Sequence, residues 1–391
     1  MQPFVYLDHA ATTPVRPEAR DAMLPYLGEQ AFGNPSSAHQ AGRTSRAGLD
    51  RARRQVAQAI GAEPGQVFFT SGGTEADNLA VLGAALAARD GGKLMRAAAS
   101  AVEHKAVLAA AHAVAHFGGS EESIPVDRNG VVDLDHLDQA LTRRPAVVSV
   151  MWVNNETGVI QPIAEIGRRC RAAGALFHTD GVQAFGNLPL RLSEIPCDLL
   201  SLSAHKVGGP KGVGALMVRS RDMVHPLIQG GSQQAGIRPG TENISGAVAF
   251  GCAAELAARD QPEHARHLAG LRNELRDRLR AAVPDLFVVG ESAERVPHIL
   301  NVCVPGADSE TLLIHLDQAG IAASSGSACT TGAVEPSHVL VAMGIPRDLA
   351  ISAVRFSLGR TTTEADIERV VGEFPRVVAR VRSVAGISSH G

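Results

Sequence analysis

The sequence predicts an α/β fold in which helices cover a mostly parallel sheet, and three observations support this prediction. Short apolar runs bounded by turn residues recur along the chain, as buried strands do. Helical patterns lie between several of these runs, which is the order found in βαβ units. The chain has 391 residues, which is enough for a large core and for two domains.

The predicted elements follow one another in chain order. Apolar runs predict strands at residues 66–70, 146–153, 175–179, 199–203 and 213–218. Helical periodicity predicts helices at residues 75–88, 163–173, 244–258 and 262–282. A second set of strands and helices begins near Phe287, so we place a boundary between two domains near Asp260.

The composition excludes several classes of protein. Hydrophobic residues make up 45% and charged residues 20% of the chain, values typical of a soluble globular enzyme. The net charge of −3 gives no electrostatic reason to expect nucleic acid or an anionic membrane as a partner. No charged-then-apolar leader begins the sequence, and no apolar run approaches the roughly 18 residues of a membrane span. We therefore expect a cytoplasmic protein with no membrane partner and no direct nucleic-acid partner.

The cysteines predict neither a disulfide framework nor a zinc cluster, because the five are odd in number and not closely paired. Four lie in or beside apolar helices and strands, where a cysteine packs as a small hydrophobe. These are Cys170, Cys197, Cys252 and Cys303. Cys329 lies instead in a run of small residues, 324–332, with nothing apolar nearby to bury it. Taken alone, this run fits an inert surface loop and a working thiol about equally well.

The first motif with chemical meaning is Thr70-Ser71-Gly72-Gly73-Thr74-Glu75. A strand end, two glycines and a helix start would offer an anion free backbone N–H groups, a favourable dipole and hydroxyl donors. A glycine turn with a capping threonine is the alternative, and it is common. The motif is not a P-loop, because no Gly-Lys-Ser/Thr follows at the required spacing.

Two further motifs follow predicted strands. Asp180 ends one strand, where α/β folds place their ligands, and a buried carboxylate there needs a cation or a protonated ring nitrogen. Gln183, three residues on, is placed to bond the same ligand. Lys206 follows the strand at 199–203, where desolvation and nearby cations lower the pKa of a lysine and free its amine to form an imine. The alternatives are a helix-capping Asp180 and a solvated Lys206.

Together, the three motifs favour a site for pyridoxal 5′-phosphate. This cofactor requires a phosphate cradle, a carboxylate for its pyridinium nitrogen and a lysine that forms an imine. No single motif is specific, but the three together meet the requirements of one cofactor. The sequence therefore predicts an enzyme that uses this cofactor.

The order of motifs resembles that of the cysteine desulfurases of the NifS/IscS type, fold-type I pyridoxal-phosphate enzymes of the class V aminotransferase family. The matching motifs, which run nearly end to end, are Tyr6–Thr13, Gly33–Ser37, Phe69–Asn78, Glu103-His104, Val153–Gly158, the Asp180 and Lys206 segments, Arg238–Asn243, Ser324–Gly332 with Glu335–His338, and Arg355–Arg360. The resemblance implies a large cofactor-binding domain at residues 15–260 with a seven-stranded, mostly parallel sheet. It also implies a smaller α+β domain, formed by residues 1–14 and 261–391, that carries the Cys329 loop.

The resemblance implies a role for each matching residue at the reacting centre. Lys206 would bind the cofactor covalently and later move the proton at the substrate Cα. Asp180 would pair with the pyridinium nitrogen, and His104 would stack on the ring and assist acid–base steps. Cys329, as a thiolate, would take the sulfur of L-cysteine as a persulfide and leave L-alanine. The alternatives for His104, a helix cap or a surface histidine, are disfavoured by the resemblance.

The remaining implied roles concern the phosphate, the ring oxygen and the substrate. The phosphate ligands would be Gly73, Thr74, Ser203 and His205, together with Thr241 from a partner subunit in a homodimer with shared active sites. Asn155 and Gln183 would bond polar groups around the ring oxygen. Arg355 would hold the substrate carboxylate, a use that suits guanidinium geometry, with Asn34 and Asn155 beside the substrate.

The resemblance further implies that the persulfide passes to an acceptor, such as an iron–sulfur scaffold protein or a pathway of transfer-RNA thiolation. Two features leave the acceptor open. The segment 230–236 has serine and glutamine where relatives often have glycine and glutamate. The chain ends in a short polar stretch, 386–391, although the C-terminal region takes part in scaffold docking in this family.

Three rival functions remain on the sequence alone. One is another enzyme of the same fold, such as an aminotransferase or a selenocysteine lyase, neither of which needs the Cys329 thiol. Another is a non-catalytic sulfur-relay or scaffold protein, which would bind no cofactor. The third is a metal protein, but the 15 histidines include no cluster with the spacing of metal ligands.

Overall fold

The computed structural model describes residues 4–326 and 335–384. Its strands are β1 (Val5–Tyr6), β2 (Val67–Thr70), β3 (Arg96–Ser100), β4 (Ser120–Ile124), β5 (Val147–Ser149), β6 (Leu176–Asp180), β7 (Leu199–Ser203), β8 (Gly214–Val218), β9 (Phe287–Val288), β10 (Ile299–Cys303), β11 (Ile321–Ala322) and β12 (Ala353–Ser357). Its helices are α1 (Pro17–Met23), α2 (Gln40–Ile60), α3 (Gly73–Asp90), α4 (Lys105–His116), α5 (Leu134–Thr142), α6 (Ile163–Ala173), α7 (Ile244–Ala282), α8 (Ser309–Gln318), α9 (His338–Ala342), α10 (Arg347–Ala350) and α11 (Glu364–Val384).

The largest sheet has seven strands in the order β2-β8-β7-β6-β5-β3-β4. Five neighbouring strands, from β4 to β7 in this order, are parallel, whereas β8 is antiparallel to both β2 and β7. The predicted α/β fold with a mostly parallel seven-stranded sheet is therefore confirmed. In the register of β6 and β7, Asp180 lies opposite Ser201. The carboxyl ends of these two strands thus bring Asp180 and Ser203 to the same edge of the sheet.

Both faces of this sheet are buried, which is why its central strands are apolar runs. Successive strand residues point to opposite faces. Val147 and Leu199 belong to the apolar cluster formed with α3 and α4. Their neighbours Val148 and Leu200 belong to the cluster formed with α2, α6 and α7. A buried parallel strand of this kind carries no polar alternation, so its limits follow directly from the turn residues that flank it.

The predicted break between helices at 244–258 and 262–282 is wrong, because α7 runs without interruption from Ile244 to Ala282 and contains Pro262. A proline within a helix removes one backbone hydrogen bond and costs about 3 kcal/mol. Packing at both ends offsets this cost. Phe250 on the first half joins the core of the large sheet, and Leu271 and Leu275 on the second half join another core.

The second core surrounds a smaller sheet in which β10 pairs antiparallel with both β12 and β9. The short parallel pair of β1 and β11 adds the N-terminal residues to this region. Val5 and Leu7 lie in one apolar cluster with Leu300 and Phe356 of the smaller sheet. Residues from the beginning and from the last third of the chain therefore share this core. The domain limits at residues 15 and 260 stay a prediction.

Within residues 4–326 and 335–384, no helix is both long enough and apolar enough to cross a membrane.

Candidate active site

A cavity of about 340 Å³ opens at the carboxyl ends of β6 and β7. Residues predicted for the site from widely separated motifs line it, namely Gly73, Thr74, His104, Asn155, Asp180, Gln183, Ser203, His205, Lys206 and Arg355. Ala10, Ala11, Ser324 and Gly326 also border the cavity. The cavity therefore lies between the large sheet, the N-terminal segment and the strand that carries Arg355.

The phosphate-binding prediction concerns the junction of β2 and α3. Gly72 is the N-cap of α3 and carries no side chain. No side-chain cap therefore occupies the backbone N–H groups of the first turn of α3. The alternative of a capping threonine is wrong, because Thr74 lies within the first turn. The hydroxyl of Ser203 is buried in the same cavity without a hydrogen-bond partner. Free donors and an unpaired hydroxyl beside a helix N-terminus fit a phosphate group.

Asp180 lies at the end of β6, and its Oδ1 accepts a hydrogen bond of 2.9 Å from the Val182 N–H. No α-helix follows it, so the helix-cap alternative is wrong. Burial raises the pKa of Asp180, while the Val182 N–H and the nearby His104 and Lys206 act to lower it. A carboxylate buried at this position requires a cationic partner, which a protonated ring nitrogen supplies.

Lys206 is the last residue of the 3₁₀ turn Ala204–Lys206, which follows β7. Its Nζ donates hydrogen bonds to the carbonyl oxygens of Ala10 (2.5 Å) and Ala11 (2.8 Å). Burial, and then Arg355, lower the pKa of Lys206 to about 8, while Asp180 and Asp8 act in the opposite direction. A substantial fraction of the amine is therefore neutral just above neutral pH, as imine formation requires. The solvated-lysine alternative is wrong.

His104 is at once a helix cap and a wall of the cavity. Its Nδ1 accepts a hydrogen bond of 3.1 Å from the Ala106 N–H at the start of α4. The ring proton of the neutral imidazole is therefore on Nε2. Burial is the main cause that lowers the pKa of His104. The sequence offered a helix cap as an alternative to a catalytic role for His104. The capping hydrogen bond instead fixes the tautomer and the orientation of the His104 ring.

The N-terminal segment contributes contacts to which the sequence assigned no role. The carbonyl oxygen of Ala10 accepts hydrogen bonds from both Lys206 Nζ and the Gln183 side-chain amide, the latter at 2.9 Å. His205, predicted to bind phosphate, has its Nδ1 3.2 Å from the hydroxyl of Thr12. Residues 10–12 therefore position three of the predicted site residues. The only sequence signal for this was the match of residues 6–13 to a family motif.

Arg355 on β12 is held by two acceptors. Its Nη1 donates to the carbonyl oxygen of Asn155 at 2.8 Å, and its Nη2 donates to Asp8 Oδ1 at 2.6 Å. Its Nε is buried without a hydrogen-bond partner and the residue borders the cavity. The sequence had not identified Asp8 as a residue that orients Arg355. A guanidinium held in this way, with a donor still free, is suited to a substrate carboxylate.

Three predicted site residues are not brought into this cavity by the described part of the chain. Asn34 is exposed, and its Oδ1 accepts a hydrogen bond of 2.9 Å from the Ser36 N–H in the turn before α2. Thr241 is exposed and does not line the cavity of its own chain. Cys329 lies outside the described residues.

The four other cysteines are not suited to nucleophilic chemistry. Cys170, Cys197 and Cys303 are buried, and burial raises the pKa of each thiol to about 12. Cys252 is half-buried, and burial likewise raises its pKa. At neutral pH these thiols are protonated, whereas the thiolate is the reactive form.

A layer of buried polar groups lies beside Asp180. The ring of His178 is 2.8 Å from the hydroxyl of Ser149 through Nδ1 and 2.9 Å from that of Ser201 through Nε2. Burial lowers the pKa of His178 to about 3 and raises the pKa of Glu103 to about 8. Both groups are therefore predominantly neutral at pH 7. His178 and Glu103 therefore place no full charge next to Asp180, whose carboxylate faces the cavity.

Glu103→Gln is expected to flatten the dependence of stability on pH. The pKa of Glu103 is raised from 4.5 to about 8 in the folded state, so folding retains a proton that the unfolded chain releases. Stability then falls as pH rises through this window, by up to about 1.4 kcal/mol per pH unit for one group. Glutamine has no such proton. Urea unfolding at several pH values measures the slope, Glu29→Gln on the surface is the control, and an unchanged slope in Glu103→Gln would contradict the assignment.

Comparison with known proteins agrees with this geometry. The family model described as aminotransferase class-V matches residues 5–370. The chain is 46% identical over 383 residues to a cysteine desulfurase of Cereibacter sphaeroides, which covers 97% of each protein. It is 44% identical over 382 residues to the cysteine desulfurase NifS of Azotobacter vinelandii, covering 97% of this chain and 94% of the relative. The chain belongs to the NifS/IscS-type cysteine desulfurases, a branch of the class V aminotransferases.

Solved structures extend the agreement to the backbone of this cysteine desulfurase family. A structure described as a NIFS-like protein superposes with a TM-score of 0.89 at 32% identity, covering 97% of this chain and all of that one. Another, described as SspA in complex with cysteine, has a TM-score of 0.79 at 30% identity and covers 90% of this chain and 98% of that one. The family depends on pyridoxal phosphate, and the cavity residues fit this group through the unpaired Ser203 hydroxyl and the buried Asp180 carboxylate.

The metal-protein alternative receives no support from residues 4–326 and 335–384, in which no group of three or more histidine, cysteine, aspartate or glutamate side chains could hold a metal ion.

Proposed function

We propose that this enzyme removes the sulfur atom of L-cysteine, releases L-alanine, and carries the sulfur as a persulfide on Cys329 to an acceptor protein such as an iron–sulfur scaffold. The observation that carries the proposal is the convergence of Lys206, Asp180 and the unpaired Ser203 hydroxyl on one cavity. This convergence occurs in a chain that is 46% identical to a cysteine desulfurase over nearly its whole length.

Each cavity residue then has a defined task. Bound pyridoxal phosphate supplies an electron-withdrawing ring that allows bonds at Cα and Cβ of the substrate to break. The first turn of α3 and the Ser203 hydroxyl bind its phosphate, and Asp180 keeps the ring nitrogen protonated. Lys206, with a pKa lowered to about 8, takes the proton from the substrate Cα and returns it. His104 holds a proton on Nε2 at the cavity wall.

The transfer of sulfur balances with the Cys329 thiol as the only co-reactant. The Cys329 thiolate attacks the sulfur of the bound substrate, so that an S–S bond forms as the Cβ–S bond breaks. The electron pair of the broken bond stays on Cβ, which takes up a proton and becomes the methyl group of alanine. The other described cysteines cannot substitute, since burial keeps them protonated.

Arg355→Lys is expected to raise KM for L-cysteine by roughly 10- to 100-fold and to change kcat less. Lysine keeps the charge but loses the fork that holds the Asp8 carboxylate and the Asn155 carbonyl while facing the cavity. Steady-state kinetics of alanine formation measures the effect. The matched control is Arg347→Lys, an exposed arginine of α10 outside the cavity. An unchanged KM in Arg355→Lys would contradict a contact with the substrate carboxylate.

We also propose a homodimer in which Thr241 of the partner subunit reaches the phosphate. Thr241 is exposed and does not line its own cavity, so a contact with phosphate needs a second copy of the chain. Leu24, Leu27 and Phe32 are exposed large hydrophobic side chains within one short segment, as an interface would require. Light scattering would measure the mass. The cytoplasmic location and the domain limits of 1–14 with 261–391 against 15–260 remain part of the same proposal.

The proposed function is tested by incubating the purified protein with L-cysteine. We expect a yellow protein, alanine as product, and a mass increase of one sulfur atom on the peptide that contains Cys329. An aminotransferase would require a keto-acid acceptor and leave Cys329 unmodified. A selenocysteine lyase would turn over selenocysteine alone, and a sulfur-relay protein would be colourless. Any of these three outcomes would overturn the proposal.

A further inference from the structure

A second cavity, of about 60 Å³, adjoins the active-site cavity at Lys206. Lys206 and Gln183 border both cavities, so they form part of the wall between the two. The second cavity also has polar walls from the N-terminal segment, from α7 and from the ends of β10 and β12. Those residues are His9, Thr13, Arg16, His264, His298 and Arg360.

Two histidines in this second cavity have ring nitrogens without hydrogen-bond partners. His9 is only 5% exposed; the backbone of Tyr6 approaches one of its ring nitrogens, and the other has no hydrogen-bond partner. His298 is 3% exposed, and its Nδ1 has no partner. Buried polar groups in folded proteins are nearly always satisfied, by protein or by a bound molecule. The second cavity therefore requires a polar or charged occupant.

The position of the His9 ring is fixed by close packing against two other residues. The His9 ring packs against Gly359, where a Cβ would lie only 2.3 Å from the ring atoms. The ring of Tyr6 meets it edge-on, with 4.9 Å between the centroids. The position of the imidazole is thus set by a glycine from one segment and an aromatic ring from another.

The charges around the second cavity favour an anion over water alone. Arg16 is paired with Asp260 at 2.6 Å, and none of the residues that line the cavity is acidic. Arg360 is exposed at the edge of the cavity and is one of its lining residues. Burial, and then His264 and Arg360, lower the pKa of His9 to about 4, while a hydrogen bond with the backbone of Tyr6 acts in the opposite direction. The cationic side chains of Arg16, Lys206 and Arg360 at the cavity wall, with no acidic side chain beside them in the lining, favour a negative ion as the occupant.

We propose that the second cavity binds a small monovalent anion of chloride size beside Lys206, where it stabilises positive charge on the lysine nitrogen. A volume of 60 Å³ holds such an ion with a few waters, since about 10–15 Å³ suffices for each water. The ion accepts hydrogen bonds from the histidine rings on one side and faces Arg360 on the other. Binding of the ion does not require the proposed desulfurase reaction, whereas its effect on absorbance rests on Lys206 as the lysine that binds the cofactor.

The proposed anion adds to the electrostatic effects that other groups already exert on Lys206. Asp180 and Asp8 favour the protonated lysine, whereas Arg355 and burial disfavour it. His104 also borders the active-site side of the lysine. An anion in the second cavity acts on the pKa of Lys206 in the same direction as the two carboxylates. The midpoint pH of the change in visible absorbance of the holoenzyme therefore rises when the second cavity is occupied.

Bromide is the probe for the decisive experiment. Crystals of the holoenzyme soaked in sodium bromide are expected to show an anomalous peak between His9, His298 and Arg360. In solution, bromide at constant ionic strength, balanced with gluconate, is expected to raise Tm by a few degrees and to raise the midpoint of the absorbance titration. Ordered water in the second cavity without an anomalous peak would overturn the proposal, and so would an occupied site with an unchanged midpoint.

Variants separate binding at this site from general salt effects. Arg360→Gln, at the mouth of the second cavity, is expected to weaken bromide binding about tenfold through loss of one nearby charge. His9→Phe keeps the ring shape and is expected to abolish the anomalous peak. His116→Phe, on the exposed end of α4, is the control and leaves the bromide response unchanged. An undiminished response in Arg360→Gln would show that the ion binds elsewhere and would overturn the assignment.

Discussion

Lys206→Ala is expected to slow the conversion of L-cysteine at least about a thousandfold, the size of effect that loss of a general acid–base group produces. The variant loses the amine that holds the cofactor and that moves the proton at the substrate Cα. No nearby side chain can replace it. Within the described cavity wall, the histidines at 104 and 205 have lowered pKa values because they are buried, and neither carries a primary amine.

Two measurements distinguish this result from simple unfolding of Lys206→Ala. Borohydride is expected to fix the cofactor to the native enzyme and not to the variant, which mass spectrometry detects on the peptide that contains residue 206. Lys211→Ala changes an exposed lysine of the same loop and is expected to keep full activity and full labelling. Labelling of Lys206→Ala at the native level would show that another lysine forms the imine and would contradict the assignment.

The parts of the fold that could be predicted are those in which local sequence and burial agree. The strand at 199–203 and the helix at 163–173 were predicted with the limits that the structure has. The first is a run buried on both faces, and the second ends in a glycine at residue 174 with a positive φ of 73°. The continuity of α7 through Pro262 could not be predicted, because it depends on two cores that the chain assembles only in three dimensions.

The same distinction holds for the active site. Asp180 ends one strand of the large sheet and Lys206 follows its neighbour, so their approach to one another follows from a parallel sheet whose ligands lie at the carboxyl ends. The contact of Arg355 with Asp8 joins residues 347 positions apart and has no local signal. The second cavity, bounded by His9 and His298, likewise depends on the docking of the N-terminal segment. Contacts between polar groups that are distant in the sequence cannot be predicted from local patterns and are found only in the structure.

Cys329→Ala is expected to lower the formation of alanine from L-cysteine at least about a thousandfold, because the reaction loses its nucleophile. The visible absorbance of the bound cofactor is expected to stay, since Lys206 and Asp180 are unchanged. The four other thiols cannot rescue the variant, because burial raises their pKa and keeps them protonated. Mass spectrometry after incubation with L-cysteine is expected to find no persulfide on any of them.

Cys252→Ala is the matched control for this prediction, because Cys252 is the least buried of the four described cysteines. It is expected to retain both activity and the persulfide on Cys329. Retained alanine formation in Cys329→Ala, with the cofactor bound, would mean that the C–S bond breaks without a protein nucleophile, as in a lyase. The pair of variants thus separates a desulfurase, in which sulfur leaves on the protein, from an enzyme that uses only the cofactor cavity.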